Sequence, residues 1–249
     1  MKLGMPILFE YNSIQENIEL AKKLNLDFIE LNLNFSYCRE ELEHNKDLSN
    51  QLQGLDTTIH FYDEADMATY DEVFNGYFSL LKKYLKYTKK LNTKLLNVHL
   101  NEGPVVTISG EKNYIYDKEY NVYIERLIKN LRKIEKECNK YNIKLVIENI
   151  IIPPYLEKTY QRLSKEGFNF NYDIGHDHTY NDILKRLSQE NKMNFLEFHI
   201  HDSTKTKCHL ELGTGELDLE YYKELAKDSY VVLEVKSSAD LINSVSKIR

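Results

Sequence analysis

Three features of the sequence predict an α/β chain that closes as a single (β/α)8 barrel. Apolar runs of 6 or 7 residues recur eight times, which is the length of a strand. Helix-period stretches separate them, and strict alternation implies a parallel sheet, because parallel neighbours need crossover connections. The chain has 249 residues, close to the roughly 250 typical of such a barrel. An open doubly wound sheet is the alternative, but no Gly-x-Gly-x-x-Gly follows the first run.

In order, the runs are "LGMPILF" (3–9), "DFIELNL" (27–33), "TTIHFY" (57–62), "KLLNVHL" (94–100), "KLVIENI" (144–150), "FNFNYDI" (168–174), "FLEFHIH" (195–201) and "YVVLEV" (230–235). Between them, "SIQENIELAKKL" (13–24) sets Ile14, Ile18, Leu20 and Ala21 on one face, and Ser13 with Glu16 forms a capping-box signature at its start. Residues 120–141 read as the longest helix, with Ile124, Leu127, Ile128, Leu131 and Ile134 aligned. Helices over 219–227 and 238–248 complete the pattern. Without a Pro-, Gly- or Ser-rich linker, residues 1–249 read as one domain.

Hydrophobic content of 42% with 29% charged residues places the chain among water-soluble globular proteins. No apolar run approaches the ~20 residues of a membrane helix, and the start lacks the features of a secretory signal. Cys38, Cys138 and Cys208 are too widely spaced for a disulfide framework or a zinc knuckle. A cytoplasmic location without membrane attachment is expected, and a homo-oligomer is compatible with it. The formal charge of −6 weighs against a nucleic-acid partner, because binding to phosphate backbones depends on clustered Lys and Arg.

Six of the eight runs stop at His, Asp or Glu: His60, His99, Glu148, Asp173, His199 and Glu234. In a barrel every strand's C-terminal end faces one mouth, so these residues converge. Glu148, Asp173, His199 and Glu234 come from four consecutive strands. Three carboxylates so close together repel unless a multivalent cation sits among them. This oxygen-rich set favours one Mn²⁺, Mg²⁺ or Co²⁺, with Zn²⁺ also compatible. Strand alternation points His199 and His201 the same way and turns Glu197 inward below them, for no evident reason. Gly175 lets His176 bend back over Asp173.

At these positions the sequence resembles the xylose isomerase-like barrel superfamily of sugar-phosphate isomerases and epimerases, ketose 3-epimerases, inosose-processing enzymes and endonuclease IV. The resemblance runs the length of the chain through "LVIEN", "YDIGH", "FHIHDS", "HLELGTGELD" (209–218) and "VVLEV". Each motif is weak alone; five in order are specific for the family and not for the substrate. The resemblance implies that Glu148, Asp173, His199 and Glu234 hold the metal and that Glu148 and Glu234 are the acid/base pair. It implies isomerisation or epimerisation of a small sugar or sugar phosphate by proton transfer through a metal-stabilised enediolate. His176, His201, His60, His99 and His209 would then meet the substrate.

The endonuclease branch implies instead a zinc-dependent abasic-site phosphodiesterase, with His60, His99, His176 and His209 as additional metal ligands. Lys207 stands where that branch has a ligand aspartate, which removes an anionic donor from its third zinc. A barrel that binds metal and ligand without turnover is the remaining alternative. Blander readings accompany these: ion pairing of the acids with Lys236, a surface role for His178, and solvated Lys205 and Lys207 in place of a phosphate grip. Gly213 and Gly215 read as serving loop conformation, and Cys208 as an inert thiol.

Overall fold

The computed structural model describes residues 1–190 and 193–249. Its strands are β1 (Lys2–Pro6), β2 (Phe28–Asn32), β3 (Asp56–His60), β4 (Thr93–Leu100), β5 (Val105–Ile108), β6 (Glu111–Tyr114), β7 (Lys144–Asn149), β8 (Asn169–Asp173), β9 (Asn194–Ile200) and β10 (Tyr230–Leu233). All but β5 and β6 close into one parallel barrel in the order β1-β10-β9-β8-β7-β4-β3-β2. Each of the eight apolar runs supplies one stave. The runs read as continuous rather than alternating because helices cover the outside while side chains fill the lumen. Leu145, Val146 and Ile147 are accordingly all buried.

The first helix, Ile14–Lys23, opens as its sequence predicts. Ser13 Oγ accepts the Glu16 N–H (3.3 Å), while Glu16 Oε2 accepts the N–H of Asn12 (3.0 Å), one residue earlier than in the usual box. The helix Tyr120–Asn139 buries Ile124, Leu127, Leu131 and Ile134 along one stripe. β5 and β6, which the apolar pattern did not predict, form a hairpin after β4. Its two-residue turn has Ser109 at φ 52° and Gly110 at φ 86°, the paired positive angles of a type I′ turn. Among the described residues no helix is long and apolar enough to cross a membrane.

After β9 the chain forms a loop around one buried carboxylate. Asp202 accepts the backbone N–H groups of Ser203 (2.9 Å), Gly213 (2.8 Å), Gly215 (2.9 Å) and Leu217 (3.2 Å). A side chain at Gly215 would collide with the Asp202 carboxylate and the Ser203 carbonyl, and Gly213 sits at φ 78°. The Gly-Thr-Gly segment therefore wraps an internal anion, which gives the two glycines their loop role. Asp202→Ala would leave these donors unmatched around a void. Because single bonds to charged groups contribute about 1.5–3 kcal/mol, a loss of about 3 kcal/mol or more is expected. Urea denaturation measures it, and a loss under about 1 kcal/mol would show the loop is held by other contacts.

Candidate metal centre

Glu148, Asp173, His199 and Glu234 meet at the C-terminal mouth, their donor atoms within 4.8 Å of one another. His199 Nδ1 lies 3.1 Å from Glu148 Oε1 and 3.3 Å from Glu234 Oε2. All four side chains are buried, yet His199 Nδ1 and Glu234 Oε2 have no hydrogen-bond partner. Orphaned buried donors and acceptors are costly, and here they face a common point between three carboxylates. That is the arrangement a divalent cation satisfies, so these residues fit one.

The electrostatics match. Burial would raise the Glu148 carboxyl, but the His199 and His99 imidazoles beside it hold it well below the usual carboxylate range. Glu234 is likewise held low against burial by Lys236, His209 and His199. Lys236 Nζ is 2.9 Å from Glu234 Oε1, so the ion-pair reading holds for that one oxygen. Asp173 is kept low by His176 and His201. It also caps the helix Ile174–Thr179, accepting the His176 N–H at 2.6 Å.

Glu148 belongs to a second group. The Nε2 atoms of His60 and His99 are 3.1 Å apart and lie 3.5 and 3.6 Å from Glu148 Oε2. Donors bound at about 2.1 Å to a tetrahedral ion are roughly 3.4 Å from one another, so the triad has the spacing of a second seat. His60 Nδ1 points to the Phe61 carbonyl (2.9 Å), which leaves Nε2 free to face inward. The amides of Asn97 and Asn171 (the latter at 3.3 Å) also donate to Glu148 Oε2.

His176, His201 and His209 cluster on the far side of Asp173. His201 is fully buried, and both its nitrogens are engaged. Nδ1 accepts the His209 backbone N–H (2.8 Å), so Nε2 carries the proton and donates to Asp173 (3.1 Å). That geometry makes His201 the orienting partner of Asp173, with no nitrogen left for a substrate oxygen. His176 and His209 are more open, their side chains 20% and 19% exposed. His209 adopts φ 57°, a strained setting for a side chain of its size. Its ring centroid lies 4.1 Å from that of His201, tilted by 35°, and Nδ1 is directed to the Glu234 carbonyl (3.1 Å). The His176 and His209 imidazoles beside Cys208 draw its thiol down to about 6. His178 stays apart, paired with Asp182.

Two acids lie beneath the centre. Glu30, on β2, places Oε2 3.1 Å from His199 Nε2. Glu197 is fully buried with both oxygens unpartnered, and burial together with the Glu30 charge pushes it up to about 8. Glu30 carries the sequence signal that singles out Glu148, an acid inside an apolar run. Its strand lies outside the four consecutive staves of the quartet, so no sequence pattern links it to them. A cleft of about 390 Å³ adjoins the mouth, lined by Asp63, Glu64, Asp66 and Glu102 among others. Asp63 reaches within 3.6 Å of His60.

Barrel and buried quartet together define the class, a TIM barrel whose C-terminal mouth carries a candidate divalent-metal centre. The chain belongs to the xylose isomerase-like TIM barrel family, whose model matches residues 18–247. Among solved structures, a D-tagatose 3-epimerase-like protein superposes with a TM-score of 0.80 at 17% identity, covering 100% of this chain and 96% of its own. The 3-keto-D-glucoside 4-epimerase of E. coli gives 0.76 at 16%, covering 100% and 99%. The IOLI protein with a binding zinc atom gives 0.74 at 16%, covering 100% and 96%. At such identities the likeness is one of fold. No curated protein matches the sequence.

Proposed function

We propose that the protein is a metal-dependent isomerase or epimerase acting on a small, uncharged sugar. The observation that carries this reading is that Glu148 and Glu234 approach the same His199 nitrogen from staves three places apart, Glu234 keeping one oxygen unpartnered. Two carboxylates on opposite flanks of one substrate position suit a reaction that removes a proton from carbon and returns one. A bound divalent ion would supply Lewis acidity at a carbonyl, acidifying the adjacent carbon. Glu148 takes or gives the proton from its side. Glu234, its other oxygen held by Lys236, serves the opposite side. Return to the same carbon epimerises, and return to the neighbouring carbon interconverts aldose and ketose.

His176 and His209, the most open of the mouth histidines, hydrogen-bond substrate hydroxyls. The acidic cleft beside His60 disfavours a phosphate there, which argues for an unphosphorylated substrate. Two structural neighbours, a D-tagatose 3-epimerase-like protein and a 3-keto-D-glucoside 4-epimerase, support this class of reaction.

The spacing of His60, His99 and Glu148 favours a second reading, a multinuclear phosphodiesterase. Lys207 in place of an anionic ligand and the acidic cleft weigh against it. The test is incubation of manganese-loaded protein with a panel of ketoses and aldoses in D₂O. Carbon-bound deuterium is the expected result. Absence of exchange across the panel, together with nicking of an abasic duplex by zinc-loaded protein, would replace the first reading with the second.

A further inference from the structure

We infer that Glu30 is a positioning residue for the metal centre, fixing the tautomer of His199 so that Nδ1 presents its lone pair to the ion. This rests on the reading of Glu148, Asp173, His199 and Glu234 as a metal site. A neutral imidazole has one N–H and one lone pair, and which nitrogen carries which is set by the partner of the N–H. The Nε2 of His199 lies 3.1 Å from Glu30 Oε2, and a carboxylate there can only accept. With an ion on the Nδ1 side, the one proton of the ring therefore resides on Nε2, held by Glu30. Nδ1, which has no hydrogen-bond partner and lies between Glu148 and Glu234, is left as the donor atom.

The contact spans the lumen. Glu30 is on β2 and His199 on β9, with β1 and β10 between them in the ring. Glu30 is 1% exposed and His199 0%, so no bulk water competes for the Nε2 proton. Glu30, Glu197 and His199 could themselves be taken for a separate ion seat. An ion there would need the Nε2 lone pair and would remove His199 from the quartet, whose Nδ1 would then carry the proton. The two uses exclude one another, and the unpartnered Nδ1 among three carboxylates decides for the quartet. A carboxylate behind a metal-bound imidazole also makes the nitrogen facing the ion a better donor.

The experiment uses the full chain, stripped by chelator and titrated with Zn²⁺ or Mn²⁺ alone by calorimetry. Wild-type protein is compared with Glu30→Gln, close in shape, and Glu30→Leu, which lacks any acceptor. Loss of an outer partner weakens metal affinity by about 10–100-fold, so a Kd raised about 10-fold by Gln and about 100-fold by Leu is expected, at unchanged stoichiometry. ¹⁵N-resolved histidine spectra of the zinc-loaded proteins should show the Nε2–H of His199 strongly hydrogen-bonded in wild type, with that shift lost in Glu30→Leu and partly kept in Glu30→Gln. A merely structural glutamate would not move that signature. Should Glu30→Leu fail to fold, Glu30→Gln decides alone. Wild-type affinity in the folded variants overturns the inference, and so does loss of one whole ion with the remaining affinity unchanged, which would make Glu30 a ligand itself. If wild-type protein binds no ion, the metal reading falls and takes the inference with it.

Discussion

Glu148→Gln is expected to lower carbon–hydrogen exchange by about 10²–10⁴-fold, the usual worth of a positioned acid or base, and to weaken metal binding at the same time. The double effect follows from position. Oε1 faces His199 in the quartet, and Oε2 faces His60 and His99 while taking the amides of Asn97 and Asn171. An amide oxygen is a weaker ligand than a carboxylate, and an amide NH₂ turned toward Asn97 and Asn171 would meet donors with donors. Glu234→Gln makes a useful contrast. Glu234 touches neither the His60–His99 pair nor the asparagines, so its substitution should slow exchange while leaving the His60–His99–Glu148 group intact. Metal content by mass spectrometry and deuterium incorporation by NMR read the two effects separately. Near-normal exchange in Glu148→Gln with metal bound would show that another group moves the proton.

The staves were legible because each is a short apolar run ending in a polar residue, and the barrel's directionality turns such endings into neighbours. Glu148, Asp173, His199 and Glu234 emerge from that rule alone. The rule is blind to partners across the lumen. Glu30 and His199 are 169 residues apart and no periodicity relates them. Asn97 and Asn171 sit within strands where an amide reads as neither core nor chemistry. His201 was expected to point inward and does so, but its use depends on which ring nitrogen meets the His209 backbone, and that is fixed by the loop's path. That path follows from four N–H groups gathering on Asp202. The hairpin β5–β6 is hard to read from sequence because its strands are only 4 residues long and largely exposed, and the apolar Val105–Ile108 pairs with the polar Glu111–Tyr114. Its Ser-Gly turn was the available signal.

Metal loading is expected to raise the melting temperature substantially. Glu30, Glu148, Asp173 and Glu234 are buried around one lumen, with Lys236 the lysine paired into the quartet and histidines supplying the rest of the compensation. An ion that binds only the folded chain adds about 2.7 kcal/mol when its concentration is 100 times Kd. For a chain of this length each kcal/mol moves the midpoint by about 2–4 °C, so a rise of roughly 5–11 °C is expected. At equal sub-saturating concentration the shift should grow from Mn²⁺ to Co²⁺, following the general order of affinity for nitrogen and oxygen donors. Excess chelator should return the midpoint to that of the stripped protein. Glu234→Gln, which leaves Lys236 without its carboxylate, should melt lower than wild type when stripped and gain less on loading. A midpoint indifferent to manganese, cobalt and zinc alike would mean that the carboxylates are neutralised by protons and histidines alone, and proton transfer at this mouth would then need a different electrophile.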